Sequence, residues 1–266
     1  MRDFLNEIAD HAGEVLSDPD PARRAQIQMK RPLPKRFYKD VTVSGDAETG
    51  FSVLLDGKPV RTRARNALTV PTAALGEMLA AEWRAQDKEI DPARMPVTRI
   101  VNTALDGVSA DTQSVLEDVL RFSSSDLLCY RADSPQELVS RQAEGWDPVL
   151  DWAATSLGAR FICIEGIMHR EQPREAIAAF GVTLRKYRNA LELACLYTIT
   201  TLTGSALLAA AFAEGELDAE TAWTLAHIDE DWTIEHWGED EEAAARRAWR
   251  KSEMMAAAAV FDAVRP

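Results

Sequence analysis

Two short phrases, HIDED at 227–231 and HWGED at 236–240, are the places where residue types and spacing could do chemistry. Each sets a histidine four residues before an aspartate: His227 with Asp231, and His236 with Asp240. On a helix that spacing puts both side chains on one face, where they could hold a divalent metal. A metal-dependent hydrolase using these four residues is the chemical reading. Against it, Gly238 interrupts the second pair, and no third ligand follows at a standard spacing. Around the two phrases, Glu214 to Glu242 holds twelve acids and two histidines with no Lys or Arg.

The run Glu239-Asp240-Glu241-Glu242 follows Gly238, a helix end, and opens a helix through Ala248, Met255 and Ala259. Acids in a first turn offset the positive end of the helix dipole, and Glu242 forms an i, i+4 pair with Arg246. Those roles account for two of the four acids. The remainder, beside Trp232 and Trp237, read as a surface for a protein partner, with aromatics as anchors and charges that steer. Arg61, Arg63 and Arg65, at alternate positions in an exposed turn, are a second candidate contact; the alternative is a strand edge protected by charge. No GxGxxG, GxxxxGK[ST] or GxSxG is present. Thr203-Gly204-Ser205 reads as close helix packing, and Asp56, Asp91 and Asp106 adjoin Gly or Pro and read as turn residues.

The elements that must position these residues fall into two sets. Phe4, Leu5, Ile8, Ala12, Val15 and Leu16 share a helical face, so a helix is expected over 3–16. A basic stretch, 23–39, is kept extended by Pro32 and Pro34. Strands follow: Phe37–Ser44 and Phe51–Asp56 form a hairpin, then Pro59–Thr62 and Ala67–Val70 complete a small antiparallel sheet. Pro71-Thr72 opens a helix through Trp83, 87–97 is a loop, and Val108, Val115, Leu116, Val119 and Leu120 mark the next helix. After a short strand in 126–132, Ser134 and Glu137 match a capping box with Pro135 at the first helical position. Pro148 predicts a break near Asp147. Phe161–Glu165 reads as a short strand or extended link, and a helix from Pro173 runs through Tyr187 and Leu191 toward Leu193–Ala213. That last stretch has no charged residue in 21 positions. Its threonines are too polar for lipid and its far flank is acidic, so it is expected as one central helix of a bundle. The fold class is α+β: a small N-terminal α/β domain with an antiparallel sheet, 1–122, then a larger all-helical domain, 123–266.

Composition narrows the function classes. A net charge of −13 disfavours nucleic acid, whose phosphates attract Lys and Arg. Cys129, Cys163 and Cys195 lie too far apart for a CxxC pair. The N-terminal pattern lacks the apolar core of a secretory signal, so a cytoplasmic protein without membrane insertion is expected, and an acidic chain without coiled-coil heptads favours a monomer.

Whole phrases also resemble a known family. RFYKDVTV at 36–43, LDGKPVRTRARNALTVPT at 55–72, EIDPARMPVTRIVNTALDGV at 89–108, DLLCYRADSPQELVSRQAEGWDPVLDWA at 126–153 and WGEDEEA at 237–243 look like the F1-ATPase assembly chaperones of the ATP12 type. The resemblance implies a protein that is not an enzyme and has no cofactor. It would bind the free α subunit of F1 and shield the surface that later meets β, and β would then displace it. It also implies a smaller α/β domain followed by a helical one. The family's acidic motif maps onto Glu239, Asp240 and Glu241. Mitochondrial members carry presequences, and a bacterial cytoplasmic member fits this chain. A stable adaptor subunit of a larger complex is the remaining alternative.

Overall fold

A computed structural model describes residues 33–166 and 170–265. The expected helix over 3–16 and the basic residues before 33 lie outside the described residues. The chain divides into two units. In the smaller one, 34–36 runs antiparallel to 88–90: Arg36 N–H donates to Lys88 O at 2.9 Å and Ile90 N–H to Pro34 O at 2.8 Å. All the elements below belong to the larger unit, 38–85 with 92–265. The division at residue 122 remains a proposal about domains.

The sheet is built on β2 (Gly50–Leu55). It pairs antiparallel with β1 (Val41–Asp46) in the register Val41↔Leu55 to Asp46↔Gly50. Its other edge takes β3 (Lys58–Pro59) and β4 (Thr69–Val70). Thr72 caps α1 (Ala73–Arg84) by accepting from Leu75 N–H, which closes the sheet side as expected.

Helices follow. The first, α2 (Pro96–Asp106), begins at the end of the stretch expected as a loop, 87–97; Val97, Ile100, Val101 and Ala104 bury one face, with Pro96 at the start. The 3.6-residue period was in the sequence, and the surrounding Pro92 and Pro96 masked it. Asp111 caps α3 (Thr112–Phe122), so Val108, expected in this helix, lies before it in a 3-10 turn. A two-stranded parallel pair, β5 (Tyr130–Arg131) with β6 (Ile164–Glu165), places two residues of each expected stretch in a strand, while Leu127–Cys129 is a 3-10 turn and 161–163 is an extended link.

Two local expectations are corrected in α4 (Gln136–Ser156). Pro135, extended at φ −72° and ψ 160°, occupies the cap position and makes no side-chain cap bond. Ser134 therefore sits one residue too early for a capping box, and its hydroxyl bonds Asp133 instead. The helix also runs unbroken through Pro148. An internal proline costs about 3 kcal/mol, and tertiary contacts offset it. Trp146 is fully buried with its indole N–H on Leu225 O at 2.7 Å, and Gln142 bridges Ala132 N–H and the Asp229 carboxylate.

α5 (Arg174–Leu184) ends before Tyr187, and Asn189 caps the next helix separately. The apolar stretch 193–213 is then two helices, α6 (Ala190–Thr203) and α7 (Ala206–Ala213), where one was expected. Gly204, left-handed at φ +70°, ends the first, and Ser205 caps the second through Leu208 N–H. The break is held by a carboxylate from a distant part of the chain. Fully buried Asp126 accepts from Ser205 Oγ at 2.7 Å, Leu207 N–H at 3.0 Å and Leu128 N–H at 3.2 Å. The core position of the stretch is nevertheless as expected. Every residue of α7 is buried, and α6 packs against α2, α3 and the last helix, α10 (Glu241–Val264). Phe261 of α10 closes on Phe212 and Tyr187, with ring centroids at 5.4 and 6.1 Å. Among the described residues no helix is long and apolar enough to cross a membrane.

Candidate partner-binding surface

Between α7 and α10 lie α8 (Ala219–Ala226) and α9 (Ile228–Trp237), which carry the acidic stretch. The two histidines are committed within this corner. His227 is buried, with Nδ1 2.7 Å from Trp223 O, and burial holds its pKa below the ordinary imidazole value. His236 places Nδ1 2.8 Å from Trp232 O and stacks on that indole at 3.9 Å. Asp231 is paired with Arg247, and Asp240 caps α10 by accepting from Ala243 N–H at 2.8 Å. All four residues of the hydrolase reading thus have protein partners. No group of three or more His, Cys, Asp or Glu suited to a metal forms among the described residues.

Trp232 is corrected from an exposed anchor to a core residue. Its side chain is buried between the His236 ring and the Arg141 guanidinium, which lies 5.1 Å from the indole. Arg141 is itself fixed by Glu235 at 2.7 Å and Glu137 at 3.1 Å, so the stack ties α9 to α4. Trp237, five residues on, is the opposite case at 76% exposed. Gly238, at φ +88°, then ends α9 and turns the chain, a conformation that a β-carbon disfavours.

Beyond it Glu239 and Glu241 are exposed and, among the described residues, make no hydrogen bond or ion pair. Glu242 reaches Arg246 only at 3.8 Å. The corner therefore presents one large exposed aromatic followed by two unneutralised carboxylates. Asp240, the fourth acid of the run, is occupied as a cap. On α10 the half-exposed Trp249 lies 5.8 Å from the Arg99 guanidinium. The sequence signal for it was an indole set among Arg246, Arg247, Arg250 and Lys251.

The arginine segment is a tight turn; the strand edge weighed as its alternative is not formed there. Arg61 and Ala67 form an isolated bridge, Thr62 is buried, and Arg65 is left-handed at φ +66°. Asp106, at the end of α2, holds the turn by accepting from Thr62 Oγ1, Ala64 N–H at 3.1 Å and Asn66 Nδ2 at 2.9 Å. Burial pushes this carboxyl up, but the three hydrogen bonds outweigh it and the pKa is lowered. Arg61 spends one N–H on Arg65 O, whereas Arg63 points out with no partner among the described residues. No hydrogen bond, ion pair or ring contact joins this turn to the acidic corner among the described residues. Asp106→Ala is expected to raise trypsin cleavage after Arg63 and Arg65 about tenfold while shifting the thermal midpoint by only a few degrees, since local opening is released without loss of core. Unchanged cleavage would show that Asp106 does not hold the turn.

The ATP12 chaperone protein family profile matches residues 35–154. The Atu1473 protein of Agrobacterium tumefaciens has a crystal structure 62% identical in sequence, with a TM-score of 0.85, covering 100% of this chain and 97% of that one. Atp12 from Paracoccus denitrificans is 37% identical with a TM-score of 0.79, covering 87% of this chain and 99% of that one. Mitochondrial protein atp12 of Schizosaccharomyces pombe is 22% identical over 232 residues, which is 83% of this chain and 79% of the yeast protein.

Proposed function

The chain belongs to the ATP12 chaperone family, and we propose that it assists assembly of the F1 sector of ATP synthase by holding the free α subunit until β displaces it. The observation that carries this reading is the corner at 237–241, where the exposed Trp237 is followed by the unpaired acids Glu239 and Glu241. An α subunit without its neighbour exposes a large apolar face, an aggregation hazard. An aromatic anchor gives such a face a contact of limited area. Nearby charge speeds encounter and leaves the complex displaceable by a larger native interface. Arg61, Arg63 and Arg65 are the second contact. In this reading the protein is a cytoplasmic monomer that uses no cofactor and turns over no substrate.

The test is a pull-down from the source cell with tagged protein and identification of the bound chains. Free α without β is the expected result, and added β should release it. Absence of α removes the proposal, and a constant ratio to assembled ATP synthase would mark the protein as a stable subunit instead.

A further inference from the structure

α3 and α5 lie side by side, and between them a trough of about 470 Å³ stays open to solvent. Its floor is apolar: Leu116 and Leu120 from α3 meet Ile177, Ala178 and Val182 from α5. Val182 is 65% exposed, unusual for a large aliphatic side chain in a helix that otherwise packs inward through Ala176, Phe180 and Leu184. A second opening of about 480 Å³ shares Gln113, Leu116 and Arg185 with the first and extends it toward Arg188.

The rim is predominantly basic, three arginines to one acid. Arg174 stands at the start of α5, and Arg185 and Arg188 stand beyond its end. Arg174 and Arg185 make no side-chain hydrogen bond or ion pair among the described residues, and Arg188 makes one, to Arg185 O at 3.3 Å. The single acid on the rim, Glu117, is engaged by Gln113 Nε2 at 2.7 Å. In a protein of net charge −13, an apolar groove edged by unneutralised arginines selects its occupant by charge. The groove runs beside an 11-residue helix, which at 1.5 Å per residue is about 16 Å long, the length of three helical turns.

We propose that this trough seats one amphipathic helix of the assembly client, with its apolar face on Val182 and Leu116 and acidic residues against Arg174 and Arg185. The recognition is helix-in-groove, read through anchors at i, i+3, i+4 and i+7. It rests on the chaperone reading above and adds a second, oppositely charged surface to the acidic corner. The two surfaces would hold different parts of one client.

The test uses the full chain and two variants, Val182→Glu and Arg174→Glu/Arg185→Glu. All these side chains are exposed, so the thermal midpoints should match the parent. Capture of purified free F1 α subunit is expected to weaken at least about tenfold in both variants. A labelled 15-residue helical peptide with leucines on one face and glutamates on the other should bind the parent and lose binding to both. Its lysine counterpart should not bind. Parental capture of α by both variants would overturn the proposal while leaving the chaperone reading intact. If the parent itself captures no α, the chaperone reading fails, and the glutamate peptide alone then decides whether the trough takes an acidic helix. A dimer of the parent that Val182→Glu dissociates would assign the trough to a second copy of the chain and also overturn the proposal.

Discussion

Reversing Glu239 and Glu241 to lysine together is expected to lower capture of free F1 α subunit at least tenfold while moving the thermal midpoint by no more than a few degrees. Neither carboxylate has a partner to lose among the described residues. The structural cost is confined to the first turn of α10, where Glu241 faces the helix dipole for about 0.3–1 kcal/mol. For a chain of this size 1 kcal/mol corresponds to roughly 2–4 °C. Binding, in contrast, would lose two steering charges and gain two repulsive ones, an effect that should shrink in high salt. Trp237→Ala should weaken binding by about 2 kcal/mol if the indole is an anchor. Asp240 supplies the internal contrast. Its carboxylate caps α10, so Asp240→Ala should lower stability by about 1 kcal/mol. Titration of α against each variant, with melting curves alongside, separates the roles. Unchanged binding in the double reversal would remove the corner from the proposed contact.

The largest stability effect is expected at Asp126. Asp126→Ala would leave the Ser205 hydroxyl and the Leu207 and Leu128 N–H groups without acceptors in the buried core. That costs about 3 kcal/mol or more, a fall of at least roughly 6 °C in melting temperature. The pH dependence is a second signature. Burial drives the Asp126 pKa up from 3.8 to about 6, against the opposing hydrogen bond from Ser205 and those from the backbone. A carboxyl raised in the folded state binds its proton more tightly there than in the unfolded chain. Its contribution is therefore fully present below about pH 4 and lost as pH rises through 6. Relative to Asp126→Asn, the parent should gain stability between pH 7 and pH 4, by an amount on the order of 3 kcal/mol. Parallel melting profiles for the two proteins across that range would show that the carboxyl titrates normally.

Much of this was legible in the sequence because it depends on local chemistry. The alternation in 41–55, the turn glycines, Thr72 before an apolar period and Gly238 before an acidic run each settle one element through a few neighbouring residues. Where local signals failed, distant residues had overruled them. Pro148 predicts a break, but Trp146 and Gln142, bonded to Leu225 and Asp229, keep α4 whole. The Thr-Gly-Ser step reads as packing within one helix, but Asp126, 79 residues from Ser205, turns it into the junction of two. Ser134 fits a capping box by spacing, yet the backbone at Pro135 takes its place.

The candidate surfaces divide in the same way. The sequence alone determined the acidic composition of 214–242, the three arginines and the family, since these are properties of residue type and order. Only the tertiary structure decided which of those groups remain available. Trp232 and Trp237 are the same residue five positions apart. The first is enclosed by Arg141 and His236, and the second stands in solvent. Of four consecutive acids, one is spent on a helix cap and one leans toward Arg246. Whether a charge or an aromatic ring is free to meet a partner depends on what the fold has already placed against it. No period or motif carries that information, because the neighbours come from α4, α2 and the far end of the chain.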